Sequence, residues 1–181
     1  MIKTTTDLNL IDVTTLNYAY ARKTKSLTAK PLQSILVDGS VMSKFLLDTI
    51  EGIAILKVGT VDNPTMVCIG PHNDAWQQTS AKLFDKYTVV SVDGNGWMKC
   101  EPKPENRAKA CCIQLINDDA TFDIIAHWGT DRVVTIDSVQ KQVFTQRGTS
   151  GDYIMQSETD PSDVWIVKRK IFESTYSIVE S

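Results

Sequence analysis

Histidine is scarce in this chain, and the devices that depend on it are missing. Only His72 and His127 occur in 181 residues, and the four cysteines (Cys68, Cys100, Cys111, Cys112) include no C-x-x-C pair. A zinc centre needs thiolates and imidazoles at short, regular spacing, so no metal site is expected. Walker loops, Gly-x-Ser-x-Gly and His-Glu-x-x-His runs are absent too, which removes the familiar NTPase and hydrolase layouts. Nor does any apolar run approach the ~18 residues that cross a bilayer. Met1–Thr6 lacks the basic start and apolar stretch of a signal peptide. Positive charge is not in excess: 19 Lys+Arg face 22 Asp+Glu, a net charge of -3. Phosphate backbones are met with a basic surplus, so general nucleic-acid binding is not expected. These absences lead to the expectation of a cytoplasmic protein with reduced thiols, no membrane partner and no cofactor.

What is present reads mostly as strand. Ile53–Gly59 and Thr65–Gly70 are short apolar runs around Asp62-Asn63-Pro64, a turn signal that predicts a hairpin. Tyr87–Val92 and Trp97–Cys100 flank Asp93-Gly94-Asn95-Gly96, whose glycines supply the positive φ of a tight hairpin. Further β-rich runs are Ala110–Ile116, Phe122–Trp128 and Arg132–Ile136. Helical spacing predicts a helix over Ser40–Ile50, with Ser40 as cap, and a two-turn helix over Thr79–Tyr87. Pro161-Ser162-Asp163 breaks the last strand run. The expected architecture is a β-rich α+β domain over 1–181, an antiparallel sheet or partly open barrel with one or two short helices. Two similar halves would meet near the linker-like stretch 101–107.

The C-terminal segment carries the most specific pattern. Gly151-Asp152-Tyr153-Ile154-Met155 is followed by Trp165-Ile166-Val167-Lys168-Arg169-Lys170-Ile171-Phe172-Glu173-Ser174-Thr175-Tyr176. This resembles the ending of a widespread group of small phage and prophage proteins, where a Pro-Gly-Asp-Tyr strand start precedes a Lys-Pro-Asp-Ile-Phe-Glu-x-Thr-Tyr close. Ser150 stands where the group has Pro, and Arg169-Lys170 where it has Pro-Asp. Near the N-terminus, Arg22–Gln33 is similar to the basic opening strand of the same group. The C-terminal match covers about 26 residues. It implies a phage-type accessory protein, without supplying a catalytic site, and predicts Phe172 and Tyr176 as core anchors. The middle echoes this ending: Asp74–Gln78 followed by Lys82–Tyr87 parallels Asp152-Tyr153-Ile154 followed by Lys170–Tyr176.

Candidate site residues follow from residue type. Trp76, Trp97, Trp128 and Trp165 stand at or near strand starts and turns, beside Gln77, Gln78, Lys99, His127 and Lys168. Aromatic faces beside amide and basic groups suit a planar anionic ligand, which needs stacking plus charge. The ligand-binding set is therefore Trp76, Gln77, Trp97, Trp128, Arg132, Trp165 and Lys168. The matching function is a non-enzymatic binding module, an inhibitor or sequestering protein for a host factor or a nucleotide-like molecule in the bacterial cytoplasm. An alternative is a small hydrolase or lyase that uses His72 and His127 as acid and base on a nucleotide. A third is a structural or assembly protein of the phage, and self-association is compatible with each. Cys111 and Cys112 read as packing residues on opposite faces of a strand. Asp118-Asp119 and Asp160–Asp163 read as solvated turns.

Overall fold

The computed structural model describes residues 8–37, 46–49, 52–55 and 59–179. In chain order the elements are β1 (Ala19–Lys23), β2 (Leu27–Pro31), α1 (Leu32–Val37), β3 (Leu46–Thr49), β4 (Gly52–Ile55), β5 (Thr65–Ile69), β6 (Ala75–Thr79), α2 (Ser80–Lys86), β7 (Tyr87–Val92) and β8 (Met98–Pro102). There follow β9 (Arg107–Cys112), β10 (Thr121–Ala126), β11 (Thr130–Ile136), β12 (Val139–Thr149), β13 (Tyr153–Gln156), β14 (Val164–Val167), α3 (Arg169–Thr175) and β15 (Tyr176–Val179). The fold is β-rich, with antiparallel open sheets and few short helices. No described helix is long and apolar enough to cross a membrane. The chain forms two compact units, one of Lys23–Asn106 and one of Met1–Arg22 with Arg107–Ser181.

The inner unit holds a five-stranded sheet in the order β6-β5-β2-β8-β7 and the ribbon β3-β4. Alternation along β2 and β8 puts Leu27, Ala29 and Cys100 on one face, packed with Met66, Cys68, Leu83 and Tyr87 beneath α2. The outer unit repeats the arrangement in the order β14-β13-β9-β1-β15. One face of that sheet buries Ala21, Ala108, Ala110 and Met155 against Phe172 of α3. Its other face, through Ile154, Val164 and Ile166, packs on Phe122, Ile124 and Ala126 of the three-stranded sheet β10-β12-β11. Gly148 stands opposite Phe122 in the β10–β12 register, and any Cβ there would overlap the ring.

The two five-stranded sheets share a module with no gap in sequence spacing. In each, a hairpin (β5–β6 or β13–β14) leads into a seven-residue helix (α2 or α3) and then an edge strand that begins with Tyr. Asn63 and Asp152 lie 89 positions apart, as do Met66 and Met155, Trp76 and Trp165, Leu83 and Phe172, and Tyr87 and Tyr176. The N–H of Tyr87 donates to the Leu83 carbonyl, and that of Tyr176 to the Phe172 carbonyl. Before each hairpin a side chain caps the helix that follows it. Asn63 Oδ1 accepts from Ala81 N at 3.0 Å, and Asp152 Oδ1 accepts from Arg169 N at 3.0 Å. This register differs from the echo read in the sequence, which set Asp74 against Asp152 and Phe84 against Phe172. Leu83, not Phe84, fills the Phe172 position, and Phe84 is 40% exposed.

Other expectations are corrected by pairing. The hairpin of 53–59 with 65–70 does not form, because β4 pairs with β3 and β5 pairs with β2 and β6. Its supposed turn serves α2 instead, since Asn63 Oδ1 also takes the Ser80 hydroxyl (3.1 Å) and the Pro64 carbonyl takes Ser80 N–H (2.9 Å). Residues 56–58 lie outside the described residues. Of the helix expected over Ser40–Ile50, Leu46–Thr49 is strand, held by pairing with Gly52–Ile55. The remainder, 40–45 and 50, lies outside the described residues. The run 110–116 ends as strand at Cys112. The β7–β8 hairpin forms as expected, and of Thr79 and Ser80, either of which the sequence allows as cap of α2, Thr79 is the cap.

Candidate functional site

A groove of about 390 Å³ opens on the inner unit, on the sheet face opposite α2. Four strands contribute one residue each to a row across it: Ile69 on β5 faces Thr28 on β2, Thr28 faces Lys99 on β8, and Lys99 faces Ser91 on β7. The odd–even alternation that sends Cys68, Ala29 and Cys100 into the core sends this row outward. Trp97, Asp93, Pro71 and Asn73 form the walls. Trp97 leaves the Asp93–Gly96 turn and is seated against Leu32 and Ile35 of α1 and Val67 of β5. Lys30 Nζ lies 6.0 Å from its ring centre.

The charges in the groove are few and separate. Asp93 Oδ1 accepts the backbone N–H groups of Asn95 (2.8 Å) and Trp97 (3.0 Å), which fixes the turn and leaves Oδ2 for another donor. The Lys99 ammonium makes no hydrogen bond or ion pair among the described residues. One cation unpaired among the described residues, one carboxylate oxygen, the hydroxyls of Ser26, Thr28 and Ser91 and an indole thus line a single depression.

Only Trp97 of the seven sequence-derived ligand residues lines this groove. Trp76 and Trp165 hold equivalent places in the repeated module, packed beside Leu83 and Tyr87 in one unit and beside Phe172 and Tyr176 in the other. Lys23 Nζ sits 5.2 Å from the Trp76 ring centre. Gln77 lies on β6 opposite Val67. Trp128 is 52% exposed after β10, its carbonyl accepting from Gln146 Nε2 at 3.0 Å. Arg132 lies on β11, where its buried Nε makes no hydrogen bond. Lys168 is ion-paired with Asp152 at 3.1 Å. Thr28 and Ser91 were missed as ligand groups, because cross-strand register, which collects them, leaves no mark in a linear sequence; Asp93 and Asn73 reach the groove from the turns after β7 and β5.

The histidines belong to different units. His72 is exposed at the β5–β6 hairpin tip, its N–H donating to Asp74 Oδ1 at 3.3 Å. His127 Nε2 lies 3.2 Å from Ser162 Oγ, and its Nδ1 lies 3.8 Å from Asp163 Oδ1. That order resembles a nucleophile relay. The Ser162 hydroxyl, however, donates its one proton to Asp160 Oδ1 at 2.7 Å. Hydrogen bonds from Ser162 hold the Asp160 carboxyl below the ordinary carboxylate range, so that proton is committed away from the imidazole. Cysteine chemistry is muted as well. Burial pushes the Cys68 thiol up to about 11 and also raises Cys100 and Cys111, which suppresses the reactive thiolate at neutral pH. Cys111 is partly buried but Cys112 is exposed, so the packing role expected of both does not extend to Cys112. Among the described residues no group of His, Cys, Asp and Glu could hold a metal.

A scan against protein-family models, a search of curated proteins and a search of solved structures each return no match for this chain.

Proposed function

We propose that this protein is a non-enzymatic binding module of phage type that sequesters a nucleotide-like small molecule in the groove beside Trp97. The observation that carries this reading is the unpaired Lys99 ammonium in register with Thr28 and Ser91, next to an indole and a half-satisfied carboxylate. A heteroaromatic ring against Trp97, its exocyclic donors toward Asp93 Oδ2 and its phosphate toward Lys99 would use each group once. Stacking contributes roughly 1–3 kcal/mol per ring, and a charge-assisted bond about 1.5–3 kcal/mol. The host bacterial cytoplasm is the compartment this reading implies.

A thermal-shift screen against nucleotides and cyclic nucleotides tests it, because a ligand that binds only the folded state raises its melting point. At least one such ligand should stabilise the intact protein, and Lys99→Gln should weaken it about tenfold or more. The double replacement His72→Gln/His127→Gln should leave binding intact. No stabilisation by any nucleotide, or a hit indifferent to Lys99→Gln, would refute the groove. Turnover of the nucleotide that is lost in the histidine double variant would replace this reading with the hydrolase or lyase alternative.

A further inference from the structure

We infer that the outer unit holds a phosphate site of its own, made by Arg22, Lys109 and the Tyr20 hydroxyl. It occupies the place in its sheet that the Trp97 groove occupies in the inner unit. The inference rests on the register of the two sheets, and not on what fills that groove. Met66 on β5 faces Pro31 on β2, and its equivalent Met155 on β13 faces Ala110 on β9. β2 therefore maps onto β9 at a spacing of 79 residues, which matches Lys30 with Lys109, Ala29 with Ala108 and Thr28 with Arg107. β8 maps onto β1, because Thr28 and Ala29 face Lys99 and Met98, while Arg107 and Ala108 face Arg22 and Ala21. Lys99 thus corresponds to Arg22, and Trp97 to Tyr20. The side chains repeat as well. Lys30 Nζ lies 6.0 Å from the Trp97 ring centre, and Lys109 Nζ lies 5.9 Å from that of Tyr20.

The two places differ in charge. Ala21 and Ala108 turn toward Phe172 of α3, so alternation sends Tyr20, Arg22, Arg107 and Lys109 to the opposite face. There the Thr28–Lys99 pair of the groove is replaced by Arg107 and Arg22, two guanidinium groups directly opposite each other. Like charges so placed repel. Arg107 is answered by Glu158, donating to its two carboxylate oxygens at 3.0 and 2.6 Å. Arg22, Lys109 and the Tyr20 hydroxyl make no hydrogen bond or ion pair among the described residues. Arg22 is exposed, and Tyr20 and Lys109 are half-buried. The Tyr20 ring is engaged by cations, with the Arg107 guanidinium 4.6 Å from its centre, which favours an anion held by its charge over a stacked base. Three cations and one carboxylate leave two positive charges, and a phosphate carries about −1.5 to −2 at neutral pH. The guanidinium fork of Arg22 matches two phosphate oxygens, and the ammonium and phenol each add a single donor. Free phosphate and the phosphate end of a larger molecule share this chemistry.

NMR titration of the intact protein with inorganic phosphate and with methyl phosphate, which has no base to stack on Trp97, tests the site. At low ionic strength both should shift the Nε–H resonance of Arg22 and the ring resonances of Tyr20, and added salt should weaken the effect. Arg22→Gln and Lys109→Gln, followed at Tyr20, should each weaken binding about tenfold or more. Arg22→Gln should not lower the melting point in the absence of phosphate, since it relieves the repulsion with Arg107. Lys99→Gln should leave the shifts at Arg22 and Tyr20 unchanged. Tighter binding of methyl phosphate would identify an esterified phosphate as the ligand, and tighter binding of inorganic phosphate the free anion. No shift at Arg22 or Tyr20 with either probe through the millimolar range overturns the inference. So do Tyr20 shifts that survive both Arg22→Gln and Lys109→Gln. Phosphate binding lost in Lys99→Gln alone would also overturn it, while leaving the nucleotide reading of the groove intact.

Discussion

Asp152 shows how much one buried carboxylate can organise. It accepts the N–H of Thr149 at 2.9 Å, the N–H of Arg169 at the start of α3, and the Lys168 ammonium at 3.1 Å. Asp152→Ala strands those donors and should cost about 3 kcal/mol in chemical denaturation. Asn63→Ala, which removes a half-buried neutral cap, should cost about 1 kcal/mol. Phe172 is stacked between Tyr153 and Tyr176, with ring centres 3.6 and 5.1 Å away, and is 3% exposed. Phe172→Ala should therefore lose roughly 3–5 kcal/mol, whereas Phe84→Ala, at the superficially similar position, should lose under about 1 kcal/mol. A larger loss at Phe84 would contradict the register given above. Cys68 makes stability depend on alkaline pH. The folded state keeps the thiol protonated up to about 11, against an ordinary value near 9. Stability from that retained proton is complete below pH 9 and is lost as pH climbs through 11. Urea midpoints measured from pH 8 to 11 should fall in the natural chain and fall less steeply in Cys68→Ala.

Elements whose turns announce themselves were legible in the sequence. The β7–β8 hairpin forms because Asp93 caps its own turn and Gly96 takes φ +84. The resemblance to the phage group predicts the Phe172–Tyr176 close as core, and Phe172 is buried with Tyr176 half-buried against it. The same segment reads in the sequence as a strand and short turn, whereas Phe172 lies on the helix α3. β12, the eleven-residue strand at the centre of its sheet, was not legible. Its first four residues, Val-Gln-Lys-Gln, carry little apolar pattern, and the turn before it uses Asp137 (φ 50) and Ser138 (φ 65) in place of Asn-Gly. Left-handed serine is strained, so Ser138→Gly should raise stability by about 0.5–1 kcal/mol. A destabilising result in the same urea assay would show that the Ser138 side chain matters more than its backbone. The 89-residue repeat was half legible: Tyr87 and Tyr176 could be matched by eye. The cap pair Asn63 and Asp152 could not, since an amide before Pro64 and a carboxylate after Gly151 share a role without sharing a motif.

At the scale of the whole molecule, the inner unit is continuous from Lys23 to Asn106 and contains all five strands of its sheet, while the other draws β1 from the N-terminal end. A fragment of Lys23–Asn106 should accordingly fold by itself and unfold cooperatively, with a strand-dominated circular dichroism spectrum. A fragment that is unfolded in dilute buffer would show that this core (Leu27, Met66, Leu83, Tyr87, Cys100) is insufficient. Composition and missing motifs were enough to turn the reading toward binding, but the place of binding rests on register: four strands bring Ile69, Thr28, Lys99 and Ser91 into one row. Fluorine NMR of the intact protein labelled with fluorotryptophan tests that placement most directly, with the four resonances assigned by single Trp→Phe variants. Addition of the nucleotide that stabilises the fold should shift the Trp97 resonance and leave those of Trp76 and Trp165, which sit in the two packed modules, where they were. A shift of Trp128 alone, of Trp76 or Trp165 with Trp97 unmoved, or of none of the four would contradict the groove as the seat of the ligand.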